Sequence, residues 1–173
     1  MKLFRLRIMK PNDVVTRNGT EKIKLPRTLE STIFEIALVV ITVVAWILIL
    51  RTTKSLNEPV PTHFDINGTP NRFGELKEYY IMSAFLNVMA LFMMFFVAYR
   101  PGYVNVGGKT EASDMSQCRL KGQFTRVLSL LLALLPLGVL YAILYGSIVY
   151  VVILGVLTMI TSIVYSILIH RKR

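Results

Sequence analysis

The residues with the most evident chemical potential lie between residues 51 and 79. His63 and Asp65 are two positions apart in a proline-containing segment that favours extended backbone, so we expect their side chains on one face, close enough to hydrogen-bond. An imidazole beside a carboxylate is also half of a metal site. A zinc ion needs three or four donors, however, and this segment adds only Glu75 or Glu78.

No further catalytic pattern accompanies this pair. The chain has no nucleophile beside a base in a known local motif, no glycine-rich phosphate loop and no His–Glu pair on an apolar helix. Its single cysteine, Cys118, cannot form a disulfide within the chain. We therefore predict a non-enzymatic protein with no cofactor and no metal site. His63 is interpreted as a structural hydrogen-bonding residue, with ligand contact or metal ligation as the alternatives.

The elements that must position these residues are long and apolar. Hydrophobic residues make up 54% of the 173 residues and charged residues only 17%, whereas about a quarter of the residues in an ordinary soluble domain are charged. Four stretches are nearly free of charge and long enough for a hydrocarbon layer of about 30 Å. We predict an all-α membrane protein with four transmembrane helices, at about 33–50, 81–99, 124–146 and 148–169, and an ordered extracytoplasmic loop between helices 1 and 2. A soluble enzyme and a disordered chain are excluded.

The basic residues are distributed unevenly along the chain. Of the 20 lysines and arginines, eight precede the first span, four lie between the first and second spans, five fall from Arg100 to Arg126 and three end the chain. The positive-inside rule then predicts a basic cytoplasmic arm (1–32), an outer loop (51–79), a cytoplasmic loop (100–123) and cytoplasmic termini. The net charge of +10 therefore reflects membrane topology. It predicts contact with the lipid bilayer and no nucleic-acid partner.

Two polar residues in the apolar stretches need partners. Glu35 is expected at the inner interface or paired with a base such as Arg27 or Arg126, because a carboxylate at the membrane centre is costly. Asn87 lies about two turns into the second span, so its amide is expected to face another helix or the base of the outer loop. A structural role for Asn87 is favoured over ligand contact.

Small residues recur every fourth position in the last two spans. They predict that these spans form a closely packed helical pair joined by a turn around Gly146, because small side chains let two backbones approach. The helix-packing residues are Gly138, Ala142 and Gly146 in the third span and Thr158, Ser162 and Ser166 in the fourth.

The outer loop carries a recognisable pattern of rigid and turn-forming residues, in which Asn67-Gly68 predicts a turn. The residues that form it, which we interpret as loop-structuring or ligand-binding, are Pro59, Pro61, His63, Phe64, Asp65, Gly68, Pro70, Phe73, Gly74 and Lys77. This pattern resembles the signature of a bacterial membrane-protein family, the domain of unknown function 1648. That domain in turn resembles the N-terminal part of SdpI-type immunity proteins.

The resemblance implies a place in the bacterial cytoplasmic (inner) membrane and a recognition, immunity or signalling role. A peptide toxin or another membrane protein would be the partner, bound through the outer loop. The alternative function is a small transporter or an accessory subunit of a larger membrane complex. Deeply placed charges, which usually mark a coupled ion pathway, are not evident in the spans.

The predicted topology is testable by thiol labelling. In intact cells, an impermeant reagent should label a cysteine introduced at Asn71 in the outer loop and spare Cys118 on the cytoplasmic side. Labelling of Cys118 without permeabilisation would contradict the orientation.

Overall fold

Four long helices form the body of the protein in the computed structural model, which describes residues 24–65, 67–104 and 115–171. In chain order they are α1 (Leu29–Thr53), α2 (Leu76–Phe95), α3 (Met115–Tyr145) and α4 (Val149–Arg171). Each is long and apolar enough to cross a membrane. The prediction of four helices able to span a membrane is therefore confirmed.

The helices extend beyond the charge-poor stretches of the sequence. α1 continues to Thr53, α2 begins at Leu76 and α3 begins at Met115, several residues outside the predicted limits. The reason is that hydropathy marks only the apolar part of a helix, whereas its backbone hydrogen bonds continue into polar residues. At the start of α1, Thr28 and Ser31 form a reciprocal capping box that satisfies free N–H groups.

The end of the second predicted span departs from α-helix. Two short 3₁₀ turns, Val97–Tyr99 and Pro101–Tyr103, follow α2 in place of its last α-helical turn. Residues 1–23 of the predicted basic arm and residues 105–114 of the predicted cytoplasmic loop lie outside the described residues.

α3 is the central helix of the bundle, and α1, α2 and α4 all pack against it. Two apolar layers surround it. One contains Leu38, Ala90, Met94 and Ala133, and the other contains Ile49, Tyr79 and Leu140. We call the end of the bundle beyond the first layer, with Leu25 and Tyr99, the terminal end, and the end beyond the second layer, with residues 54–75, the hairpin end.

α3 and α4 form an antiparallel pair, but only part of the predicted stripe lies between them. A Cβ atom at Gly138 would lie 3.4 Å from Val151 Cγ2 on α4, and Ala142 is almost fully buried. Gly146 was wrongly assigned to this packing. α3 ends at Tyr145, and Gly146 follows with a φ of +64° and open space where a Cβ would lie, so it is the glycine that terminates the helix.

Hydroxyl groups in the polar stripe of α4 donate hydrogen bonds to the backbone of their own helix. The hydroxyls of Thr158 and Ser162 donate to the carbonyl oxygens of Leu154 and Thr158, each at 2.8 Å. Ser166 is half-buried one turn further along the same stripe. The hydroxyls of Thr158 and Ser162 are therefore satisfied by the backbone of α4 itself.

Asn87 does not form the hydrogen bond to another helix that the sequence suggests. Its Nδ2 donates to the Ser83 carbonyl of its own helix at 2.9 Å, and within the described parts of the chain its Oδ1 has no partner. Asparagine side chains can bond to the backbone one turn earlier, which satisfies the amide hydrogen without requiring a neighbouring helix. Asn87 is nevertheless buried in the bundle.

The position of Cys118 changes how the topology must be tested. The thiol is buried beside Leu25 and Tyr99, so failure to label it would say nothing about orientation. The exposed neighbour Arg119 is the better probe. With Cys118 replaced by serine, Arg119→Cys should be labelled only after permeabilisation if the terminal end is cytoplasmic.

The close contact at Gly138 predicts a measurable loss of stability on enlargement. Gly138→Leu should separate α3 from α4 and lower the free energy of unfolding by about 1–3 kcal/mol, the usual effect of overpacking. Thermal denaturation in detergent would measure it. The matched control is Gly155→Leu, because a Cβ at Gly155 meets no atom within 4 Å. Equal stability of the two variants would contradict this packing.

Candidate functional site

The segment between α1 and α2 forms a β-hairpin. β1 (Val60–Phe64) pairs antiparallel with β2 (Pro70–Gly74), with Val60 opposite Gly74 and Phe64 opposite Pro70. The sequence indicated an ordered loop with a turn at Asn67-Gly68 but not these strands. Their pairing is irregular around His63, which leaves little regular alternation to detect in the sequence.

Asp65 organises the turn of the hairpin. Its Oδ1 accepts hydrogen bonds from the backbone N–H groups of Asn67 at 2.9 Å and Thr69 at 2.8 Å. The backbone adds a bond from Asp65 N to Thr69 O and one from Gly68 N to Asp65 O. Gly68 has a φ of +84°, a conformation that glycine adopts without strain.

The prediction of a hydrogen bond between His63 and Asp65 is wrong. His63 Nδ1 pairs instead with Asn71 Oδ1 on the opposite strand, while the Asp65 carboxylate is directed into the turn. The physical reason is that Asp65 already lies beyond β1, so the alternation of an extended strand does not apply to the pair. His63 is exposed, and its contact joins the two strands rather than holding the turn.

The hairpin is fixed to the bundle at its base and near its turn. At the base, Glu58 Oε1 accepts a hydrogen bond from the Leu76 backbone N–H at 2.8 Å and so caps α2, while Val60 is 2% exposed. Near the turn, Gly68 packs against Ile148 in the α3–α4 connection, where a Cβ at Gly68 would lie 3.3 Å from Ile148 Cγ1. The hairpin therefore contacts the start of α2 and the connection between α3 and α4.

Four exposed residues on the two strands form what we call the hairpin surface: His63, Asn71, Arg72 and Phe73. Phe73 is 55% exposed, which is high for an aromatic side chain in an ordered element. Arg72 donates to Glu78 Oε2 at 3.0 Å and to Thr62 Oγ1 at 3.2 Å, so its guanidinium is held in place.

The remaining residues of the sequence pattern support this surface. Gly74 gives room to Glu78, because a Cβ at Gly74 would lie 2.6 Å from Glu78 Oε1. Lys77 pairs with Glu75 at 2.7 Å at the start of α2. Three residues of the pattern are half-buried along the strands, namely Pro61, Phe64 and Pro70. Pro59 is exposed just before β1.

A second polar cluster lies at the terminal end. Glu35 of α1 is 3% exposed and accepts hydrogen bonds from the Tyr99 hydroxyl and from Arg27, which is one of the two arginines suggested by the sequence. The carboxylate raises the pKa of the Arg27 guanidinium through this hydrogen bond and its charge. The other arginine, Arg126, is 5% exposed, with its guanidinium carbon 5.2 Å from the Tyr99 ring centroid.

The segment that carries Arg27 covers this cluster. Residues 24–28, which we call the strap, lie across the bundle with Leu25 N donating to Tyr99 O at 2.9 Å and the Leu25 side chain buried. The strap passes over Gly122, where a Cβ would lie 2.8 Å from Leu25 Cδ1 and 2.9 Å from the Ala98 carbonyl oxygen. No sequence pattern indicates this contact, because Gly122 lies in no repeat.

In the described residues, no group of three or more histidine, cysteine, aspartate or glutamate side chains is placed to hold a metal ion. His63 and Asp65, the nearest approach to such a group in the sequence, have their polar atoms directed to different partners.

Comparison with known proteins connects the hairpin to a described family. A family model for a domain of unknown function (DUF1648) matches residues 40–86. The match covers the later part of α1, the whole hairpin and the first half of α2, which is less than half of the chain. No curated protein and no solved structure shows a significant match to the chain.

The geometry of the turn predicts that Asp65, rather than His63, holds the hairpin closed. Asp65→Ala removes two hydrogen bonds and should weaken the turn by about 1–3 kcal/mol in total. Faster hydrogen exchange at the Thr69 amide and faster proteolysis between α1 and α2 would measure this loss.

Two variants control the Asp65 experiment. Asp65→Asn keeps an oxygen acceptor and should retain most of the protection, while His63→Ala should change it little because His63 bonds only to exposed Asn71 among the described residues. If His63→Ala opened the hairpin as much as Asp65→Ala, the assignment of Asp65 would be wrong.

Proposed function

We propose that the protein is a non-enzymatic recognition module of the bacterial cytoplasmic membrane, in which the hairpin surface binds a partner outside the cell. The observation that carries this proposal is the combination of a hairpin anchored at Glu58, Val60 and Gly68 with a surface that is left exposed. Anchoring lowers the conformational entropy that binding must remove, so a held surface is better suited to recognition than a mobile loop.

The proposed orientation places the hairpin end outside and both termini in the cytoplasm. Its support is the distribution of charge. At the hairpin end, four basic residues are balanced by four acidic ones: Arg51, Lys54, Arg72 and Lys77 against Glu58, Asp65, Glu75 and Glu78. At the terminal end, exposed basic side chains are found at Lys24, Arg27, Arg119 and Arg171, in keeping with the positive-inside rule.

The chemistry of the hairpin surface favours a peptide or protein partner. Phe73 offers an exposed aromatic side chain, and His63, Asn71 and Arg72 add hydrogen-bonding groups on the same two strands. Aromatic and arginine side chains are common in binding hot spots. A membrane-active peptide toxin fits this chemistry, because such peptides combine apolar and polar faces. The immunity role implied by the sequence pattern is therefore the form of recognition that we propose.

An accessory role in a larger membrane complex is the second candidate. α4 packs on α3 through one face and exposes apolar side chains on the others, among them Val152, Val156, Met159, Ile163 and Ile167. Lipid or a neighbouring membrane protein can cover such a surface equally well. Because lipid suffices, this observation carries less weight than the anchored hairpin.

A protection assay tests the recognition proposal. Cells that express the protein should survive at least one member of a panel of membrane-active peptides at about tenfold higher peptide concentration than cells without it. Phe73→Ser should remove this protection, since loss of a hot-spot aromatic typically costs 2 kcal/mol or more. The inhibitory concentration of each peptide is the measurement.

The matched control is Phe85→Ser, which makes the same change at a 63% exposed aromatic of α2 outside the hairpin. Membrane levels of both variants should be compared by immunoblot. Protection that survives Phe73→Ser, or that Phe85→Ser abolishes equally, would contradict recognition through the hairpin surface. Absence of protection against every peptide would contradict the immunity role.

A further inference from the structure

Arg126 is a buried cation whose Nε has no hydrogen-bond partner among the described residues. Its side chain is 95% buried, its Nε has no partner, and within residues 24–65, 67–104 and 115–171 no carboxylate forms an ion pair with it. Its one favourable polar contact in this part of the chain is with the face of the Tyr99 ring. A guanidinium has five N–H donors, and burying its charge without a counter-ion costs several kcal/mol.

The buried carboxylate at this end of the bundle, Glu35, already accepts hydrogen bonds from two other residues. Tyr99 joins the two groups, because its ring faces Arg126 while its hydroxyl donates to Glu35. Glu35 also accepts from Arg27, which belongs to the strap. These side chains therefore carry two guanidinium charges and one carboxylate charge. We call Arg27, Glu35, Tyr99 and Arg126 the terminal cluster, and it lacks one negative charge.

The depth of Arg126 identifies where such a charge would come from. The part of α3 after Arg126, residues 127–145, has no charged residue and spans about 28 Å at 1.5 Å per residue, close to the thickness of the hydrocarbon layer. Glu35 likewise precedes the charge-free residues 36–50 of α1. The terminal cluster therefore lies at the edge of the hydrocarbon layer, at the level of the lipid phosphates.

The surroundings of the guanidinium favour access from the strap side. Gly122 lies one turn before Arg126, and a Cβ there would be 3.4 Å from Arg126 Nη1, so Gly122 has no side chain of its own to cover this flank. The Leu25 side chain of the strap and the Ala98 carbonyl oxygen lie over Gly122. The strap is held by the hydrogen bond from Leu25 N to Tyr99 O, by Arg27 and by the capping box of Thr28. We therefore expect a ligand to reach this flank of Arg126 by displacing Leu25.

We propose that the terminal cluster is a phosphate-binding site centred on Arg126, and that its ligand is the headgroup phosphate of an anionic phospholipid. Arginine suits this role because its planar fork can bind two phosphate oxygens at once. Basic pockets between transmembrane helices are known to bind anionic headgroups. This proposal is independent of the hairpin and of the orientation of the protein.

Lipid titration followed by native mass spectrometry tests the site. The delipidated protein in neutral detergent should bind one phosphatidylglycerol with clear preference over phosphatidylcholine. Arg126→Gln should weaken phosphatidylglycerol binding by about tenfold or more, the effect of losing charge-assisted hydrogen bonds. The matched control is Arg100→Gln, because Arg100 lies at the same end but stacks on Phe96 and donates to the Phe96 carbonyl.

Two further variants keep the test decisive if Arg126→Gln folds poorly. Arg126→Lys retains the charge without the fork and should give intermediate affinity. Glu35→Gln removes the competing carboxylate and should leave phosphatidylglycerol binding equal or stronger. Weaker binding in Glu35→Gln would contradict the proposal, since the carboxylate would then be supporting the ligand rather than competing with it.

A second arm separates the two sources of phosphate. Inorganic phosphate in large excess should not displace the lipid if the headgroup and its chains bind together. Displacement by inorganic phosphate, with no preference for phosphatidylglycerol, would assign the site to the free anion and overturn the lipid assignment. Equal binding of phosphatidylglycerol and phosphatidylcholine with no displacement by inorganic phosphate would overturn the site itself. So would equal phosphatidylglycerol binding by the unmodified protein, Arg126→Gln and Arg100→Gln.

Discussion

A chain that crosses hydrocarbon must pair its backbone N–H and C=O groups within itself, and this constraint shapes the whole protein. The charge-poor stretches satisfy it as α1–α4, each long and apolar enough to cross the layer. Among the described residues, β-strand occurs only in the segment between α1 and α2, outside the apolar stretches. Both polar clusters likewise lie at the ends of the bundle.

Within the layer, side-chain size decides how the helices fit together. Apolar burial gives little preference for one helix arrangement over another when lipid is equally apolar, so close approach of small residues has to provide specificity. Gly138 and Ala142 supply it between α3 and α4, and Ala90 and Ala133 supply it where α2 meets α3. Tyr79 adds a hydrogen bond from α2 to the Pro136 carbonyl, 2.8 Å away.

The two ends of the bundle use polar groups in different ways. At the hairpin end, acidic side chains satisfy backbone or cationic partners nearby: Asp65 in the turn, Glu58 at the start of α2 and Glu78 on Arg72. The result is a hairpin held by hydrogen bonds that leaves the hairpin surface exposed, and we propose that this surface binds a partner. At the terminal end, Glu35 accepts from two donors, while Arg126 has no carboxylate partner among the described residues. This imbalance is the basis of the proposed phosphate site.

The sequence by itself determined the number of apolar helices, the presence of ordered structure between α1 and α2, and the turn at Asn67-Gly68. These features depend on local composition: runs of apolar residues fix the spans, and an Asn-Gly pair among prolines fixes a turn wherever it occurs. The sequence also indicated that Glu35 lies at the inner interface or pairs with a base such as Arg27 or Arg126, because a carboxylate at the membrane centre is costly.

Only the tertiary structure decided which of those arginines binds Glu35, and that Arg126 is buried with no carboxylate partner in the described part of the chain. It also decided that Asp65 turns away from His63 and that Gly146 ends α3 while Gly138 packs against α4. Each of these outcomes depends on groups distant in sequence, such as Tyr99 beside Glu35 or Ile148 beside Gly68. Local patterns do not encode such contacts, because they arise only once the helices have taken their positions around α3.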